Sequence, residues 1–299
     1  MARARTYSHA NAVDHVKEAR QRLQDSVDAL LQAEGWANYL RFQARFHDYS
    51  WGNAMLIRSQ CPHATRVKGY QGWLGMGRQV KKGEKGIRIL APRPYKTRVL
   101  DPEGDEIEQH NLSFTTVAVF DISQTEAIEG HPNPYIPADL PYSHALESGD
   151  EIHAMKLFGV LHRHLIADGC DVTILAHPDR DGAHGCFSPR PDAIRVVQRE
   201  ACPMLSTLIH ETAHRMTHGA LGGRASSYAQ HEVVAEAVTF IVCDWFGIES
   251  LTPSTEYVAG WLTHDTAAFK RGMTLIQKTA HELIEVMERA LARSQKEAA

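Results

Sequence analysis

Two consecutive helical stretches in the C-terminal half carry imidazoles and carboxylates on otherwise apolar surfaces. Such helices cannot pack until the charges find a partner. The first stretch covers residues 203–218, with Pro203 suited to an opening turn. It bears Met204, Leu205, Leu208, Ile209 and Met216, the content of a core-packed helix, yet His210-Glu211-Thr212-Ala213-His214 stands in its middle. Glycines 219, 222 and 223 break it. The second, residues 227–246, opens with Glu232 and Glu236 and continues as Ala237-Val-Thr-Phe-Ile-Val-Cys243. Carboxylates at the mouth of so apolar a helix are costly unless paired, and a metal ion with its ligating histidines would pair them.

The spacing supports that partner. Residues four apart share a helix face, about 5–6 Å apart at Cβ, so His210 and His214 reach one ion. Glu211 can lean over the open coordination position as general base. This is the H-E-x-x-H arrangement of zinc peptidases. Glu232 is the candidate third ligand, and Glu236, one turn on, the acceptor for the outer ring N–H of a ligating histidine. The reverse assignment stays open, as does a plain solvated helix face. Three protein ligands leave a fourth position for substrate or water, the catalytic pattern for Zn2+. Other first-row divalent ions suit the same donors. For the oxyanion or proton donor, Tyr228, His231 and His218 are equal candidates. The hairpin expected over 185–197 offers a strand edge to an extended peptide.

A second feature lies upstream. Residues 66–98 contain ten basic side chains and one acid, Glu84, in a chain of net charge −4. Tyr70, Trp73 and Tyr95 are interleaved. Basic groups follow phosphates while aromatic rings stack on unpaired bases, so Lys68, Tyr70, Trp73, Arg78, Lys81, Lys82, Lys85 and Arg88 form a candidate single-stranded-DNA surface. Glycines 83 and 86 would let backbone approach a ligand closely. The plainer alternative is a solvated basic face with Trp73 in the core.

The remaining organisation follows from periodicity. Apolar positions predict helices over 9–34, Trp36–Phe46 and a third through Asn53, Leu56 and Ile57, capped by Asp48 or Ser50. Gly86–Leu90 and Phe114–Phe120 read as strands joined by a polar loop over 99–112. Residues 131–150, with four prolines, read as a linker. Beyond it come a helix over 151–165, a strand at Val172–Leu175, the hairpin, and a last helix over 254–294. The class is α+β: N-terminal helices on a small mixed sheet (8–130), the linker (131–150), and a mainly helical metallopeptidase-like domain with a short sheet (151–299). The five scattered cysteines form no C-x-x-C pair, and no apolar run resembles a secretion signal or a membrane span. The expectation is a cytoplasmic protein with reduced thiols and no membrane partner.

Three runs carry a resemblance: Trp51-Gly-Asn-Ala-Met-Leu-Ile57, Gly69-Tyr-Gln-Gly-Trp-Leu-Gly-Met-Gly-Arg-Gln-Val-Lys-Lys-Gly-Glu-Lys-Gly86, and Val119-Phe-Asp-Ile-Ser-Gln-Thr125. They resemble the N-terminal domain of ArdC-type antirestriction proteins, which implies a single-stranded-DNA-binding module. His210–His214, Tyr228–Glu236 and Tyr257–Leu262 are similar to the same proteins and, more distantly, to ImmA/IrrE-type metallopeptidases. That implies gluzincin-like zinc coordination and carriage on mobile elements. His231 departs from the family's usual acid or polar residue, and 264–282 is only loosely alike. Two functions follow as expectations. One is a zinc peptidase brought to DNA, acting on a DNA-associated protein. The other is a non-catalytic single-strand-binding protein with a structural or vestigial metal site. A regulatory peptidase that cleaves a repressor is a further alternative.

Overall fold

A computed structural model describes residues 9–31, 35–100, 105–131, 135, 151–178, 182–220, 228–250 and 266–297. Its contacts divide into two units, Met1–Ala29 with Gly52–Pro137, and Leu30–Trp51 with Ala138–Ala299. Residues 30–51, with the second helix, group with the C-terminal unit, and the expected 131–150 linker is divided after Pro137.

The first unit contains α1 (His9–Asp28), most of α3 (Trp51–Gln60), α4 (Tyr70–Gly75) and five strands, β1 (Val67–Gly69), β2 (Arg78–Val80), β3 (Ile87–Leu100), β4 (Glu106–Asp121) and β5 (Thr125–Ala127). One sheet has the order β1-β4-β3 and a smaller one pairs β2 with β5, all antiparallel. The parallel pairing expected here is absent from these sheets. Helix α1 packs on β3 and β4, and Ala19, Leu56, Ile57, Val67, Ile87 and Val119 are buried.

The expected loop over 99–112 is corrected. β3 and β4 pair continuously from Ile87↔Val119 to Leu100↔Glu106, so 99–100 and 106–112 are strand. Acids and bases that read as loop chemistry interact across the ribbon instead: Lys96 with Glu108 at 2.7 Å and Arg98 with Glu106 at 3.6 Å. Asn111 also donates its side-chain N–H to Thr97 Oγ1 at 2.7 Å.

β3 lies at the edge of its sheet, and α3 covers the base of that edge. Asn53 Nδ2 donates to the Leu90 carbonyl while its Oδ1 accepts the Leu90 N–H, both at 2.9 Å. Gln60 does the same to Arg88, at 2.9 and 3.0 Å. Side-chain amides seven residues apart on one helix face thus satisfy backbone groups two residues apart on the strand. After β4, buried Asp121 accepts N–H groups from Thr65, Arg66 and Ser123 at 2.8–3.0 Å. Gln124 completes a capping box by accepting the Asp121 N–H. The run 119–125 is therefore a structural hub tying β1 to β4.

The second unit adds α2 (Gly35–Arg45), α5 (Glu151–Ala167), β6 (Asp171–Leu175), β7 (Gly185–Pro189), β8 (Asp192–Val197), α6 (Ala201–Thr217), α7 (Tyr228–Trp245) and α8 (Thr266–Glu297). Its sheet has the order β6-β8-β7, with β6 parallel and β7 antiparallel to β8. Central α6 packs on α5, α7, β7 and β8, while α7 packs on α2 and α8. Trp36, Tyr39, Leu40 and Phe42 bury the α2 face, and Arg41 lies over the Phe240 ring.

Helix α6 starts at Ala201, two residues before Pro203, because a carboxylate from another helix caps it. Glu151, in the first turn of α5, accepts the N–H groups of Ala201 and Cys202. At the other end, Arg215 grips Asp192 through Nε and Nη2 at 2.8–3.0 Å and Asp168 through Nη1 at 2.7 Å. The Arg215 pair holds the Asp192 carboxyl below its ordinary value despite some burial.

Of the expected linker only His131 and Tyr135 are described, and Tyr135 belongs to the first unit: its N–H donates to Met76 and its carbonyl accepts from Arg78. The expected helix start at 254 lies outside the described residues. Among those residues no helix is long and apolar enough to cross a membrane, and none of the five cysteines is in a disulfide.

Candidate metal centre and nucleic-acid face

Helix geometry and the α6–α7 contact bring the three predicted ligands together. His210 Nε2 and His214 Nε2 are 3.0 Å apart, His210 Nε2 is 3.4 Å from Glu232 Oε2, and His214 Nε2 is 3.3 Å from Glu232 Oε1. A tetrahedral ion with bonds of about 2.0–2.1 Å needs donor atoms about 3.3 Å from one another. The spacing thus fits a single divalent ion. The three side chains are 17–25% exposed, sheltered yet reachable. Among the described residues no other trio of His, Cys, Asp or Glu converges in this way.

Burial is the largest influence on His210 and lowers its pKa. Glu232, Glu211 and Glu236 together outweigh it, so the net shift is upward. Glu236 is therefore close enough to act on a ligand electrostatically, one turn beyond Glu232.

Glu211 is buried, at 7% exposed. Burial raises its carboxyl pKa, opposed by His210 and His214, and the Phe187 N–H donates to it. Gly185 makes this approach possible: a Cβ there would sit 2.4 Å from Thr207 Cγ2 and 2.9 Å from Glu211 Oε1. Nothing in the sequence of β7 alone signals that role. Of the candidate donors, the His218 and His231 rings lie 6.3 Å apart, and His218 meets Phe187 edge-on. The Tyr228 side chain lies outside the described residues.

The basic segment is smaller than its sequence count. Lys96 and Arg98 are offset by β4 acids. Arg78 is turned inward, donating to Thr125 Oγ1 at 2.7 Å, the Thr125 carbonyl and the Tyr135 carbonyl at 3.0 Å each. Lys81 Nζ donates to the Ser123 carbonyl. Trp73 is fully buried, with its indole N–H on the Phe120 carbonyl at 2.8 Å. As stacking platform and phosphate contact respectively, Trp73 and Arg78 are corrected to structural roles. Gly86 is also structural: its missing Cβ would meet Ala118 Cβ at 2.8 Å.

Lys68, Lys82, Lys85 and Arg88 keep their charges clear of any partner among the described residues. Register puts Lys68 opposite Phe120 and Arg88 opposite Ala118, on the same sheet face as Phe114 and Leu112. Phe114 and Leu112 are 43% and 60% exposed, and Tyr70 on α4 is 48% exposed. Phe114 was not singled out in the sequence; alternation along Phe114-x-Thr116-x-Ala118-x-Phe120 is the signal that exposes it.

Residues 17–120 match the family model for the N-terminal domain of anti-restriction factor ArdC. The match covers about a third of the chain, and that segment is similar to the ArdC domain. The matched segment takes in α2, which packs on α7. Over 95% of its length the chain is 22% identical to an uncharacterized protein of Bacillus anthracis, covering 54% of that protein. Over 64% it is 23% identical to an uncharacterized protein of Sinorhizobium fredii, covering 61% of it. The chain therefore spans between about half and two thirds of the curated relatives it matches. Among solved structures, the metal-free antirestriction protein ArdC from plasmid R388 is 20% identical, with TM-score 0.47 over 82% of this chain and 86% of that one. Its Mn(II)-bound form is 18% identical, with TM-score 0.48 over 90% and 97%.

Proposed function

We propose that this chain is an antirestriction-type protein that binds single-stranded DNA with its ArdC-type domain and hydrolyses peptide bonds in a DNA-associated protein. The carrying observation is the convergence of His210, His214 and Glu232 with Glu211 seated on strand β7. Those three residues would hold Zn2+, which when bound polarises a scissile carbonyl and acidifies water. Glu211 takes a proton from the attacking water as its oxygen bonds to the carbonyl carbon. It then delivers that proton to the amide nitrogen as the C–N bond breaks. Burial moves the Glu211 carboxyl upward, the direction that favours accepting a proton. β7 is an edge strand of its sheet, the kind of border an extended peptide can join. A purely structural metal site has no use for the general base.

For DNA, the reading uses the face bearing Lys68, Arg88, Phe114 and Tyr70, with Lys82 and Lys85 beside it. Phosphates meet the cations while bases stack on the exposed rings.

A Glu211→Gln variant tests catalysis: antirestriction in cells and any cleavage in vitro should fall while zinc or manganese binding persists. Full activity in that variant leaves the binding-protein reading in its place. For DNA, Lys68→Ala with Arg88→Ala should lower single-strand affinity and flatten its salt dependence by up to about two counterions, on a slope of roughly −0.7 per contact. An unchanged slope removes this face from the interface.

A further inference from the structure

In the first unit, at the start of β3, lies a hollow of about 740 Å³. Its walls are the Arg22 side of α1, the end of α3 with Cys61 and His63 just beyond it, the 83–87 turn, and Ser123–Gln124. That volume falls in the range of small-molecule sites, roughly 300–1,000 Å³.

The wall's neutral groups are already engaged and rigid. Gln60 Nε2 is held by the Leu56 and Arg88 carbonyls, and Gln124 Nε2 by Glu84 Oε2 and the Lys85 carbonyl, all at 2.7–2.9 Å. The one acid in the lining, Glu84, is thus partnered. Arg22 and Lys85 are not, among the described residues, and His63 has only a 3.5 Å contact with Cys61 Sγ. Gly83, with φ of +94° and nothing within 4 Å of an added Cβ, leaves bare backbone at the rim. Two cations and an imidazole therefore line one hollow with a single carboxylate, which leaves the lining net positive. Burial raises the Cys61 thiol, aided by Asp121 and Glu84, so the thiol is neutral and unreactive there.

We propose that this hollow binds a phosphate monoester. A monoester carries close to two negative charges near neutral pH, whereas an internal phosphodiester carries one. The clustered guanidinium and ammonium favour the former. The monoester could come from the 5′ end of a DNA strand or from a free nucleotide. Lys85 is shared with the cations beside the sheet face assigned to internal DNA, whereas Arg22 and His63 belong to the hollow alone.

The test uses the full chain at pH 7.5. Anisotropy compares 5′-phosphorylated with 5′-hydroxyl oligonucleotides of one sequence, and calorimetry compares AMP with adenosine. Either the phosphorylated strand binds about tenfold tighter, or AMP binds where adenosine does not; the first outcome marks a DNA end and the second a free nucleotide. Arg22→Ala with His63→Asn should erase the preference and leave the 5′-hydroxyl oligonucleotide's affinity intact, while Arg22→Lys retains most of it. Equal affinity for both strands together with no AMP binding overturns the proposal. AMP binding without any oligonucleotide binding would sink the DNA reading and leave the hollow's assignment standing.

Discussion

Gly185→Ala isolates the contact that seats Glu211. The new methyl would lie 2.4 Å from Thr207 Cγ2, 2.9 Å from Glu211 Oε1 and 3.1 Å from its Cγ. Ordinary contact begins at 3.4 Å, so β7 and α6 must separate by 3.4 − 2.4, or 1.0 Å. Overpacking of this kind costs about 1–3 kcal/mol. Alanine recovers about 0.4–1 kcal/mol by restricting the unfolded chain. The net loss should be about 1–2 kcal/mol, read as a lower urea midpoint at unchanged m-value. Thr207→Ser removes the nearest atom but keeps the hydroxyl that accepts from Arg199 and donates to Pro203. The double variant should therefore regain part of the loss, a coupling that a double-mutant cycle resolves. If Glu211 is the general base, the same 1 Å displacement should cost on the order of 100-fold in cleavage. A Gly185→Ala protein within about 0.5 kcal/mol of the parent, or no recovery in the double variant, refutes this packing argument.

Metal affinity should weaken as pH falls through the raised pKa of His210, because the imidazole must lose its proton to bind; chelator competition at several pH values checks this, and a flat profile contradicts it. Burial, ahead of opposing contributions from Asp48 and Glu285, lowers His47, whose Nδ1 meets His281 Nδ1 at 2.9 Å. Its unfolded state takes up the proton first, so stability should be intact above about pH 6.5 and decline as pH drops towards the depressed folded value. His47→Gln should flatten that decline in acid-melting curves. Trp73→Ala should destabilise the protein by about 3–5 kcal/mol through loss of a buried indole, seen in thermal melts; an unperturbed melt with reduced DNA affinity would return Trp73 to the binding surface.

The metal trio was legible because H-E-x-x-H fixes two ligands by helix period alone and Glu232 opens the next apolar helix. Glu211's seat was not, since it depends on a glycine in a strand distant in sequence. The basic run misled by counting: charges on β3 are judged only once register shows which acids of β4 sit beside them. Trp73 reads the same in sequence whether it stacks on a base or lies buried with its N–H on the Phe120 carbonyl. The face of α2 announces burial, but periodicity does not say against which helices.

The amide pairs that α3 makes with Arg88 and Leu90 decide where this sheet can grow. The inner half of the β3 border already has its backbone groups occupied by Asn53 and Gln60. A foreign strand that tried to zip onto it would first have to peel away a helix. Recruitment, swapping or fibril growth must therefore begin further out, past Ala91, where two prolines interrupt the border and deny an incoming chain a regular row of donors.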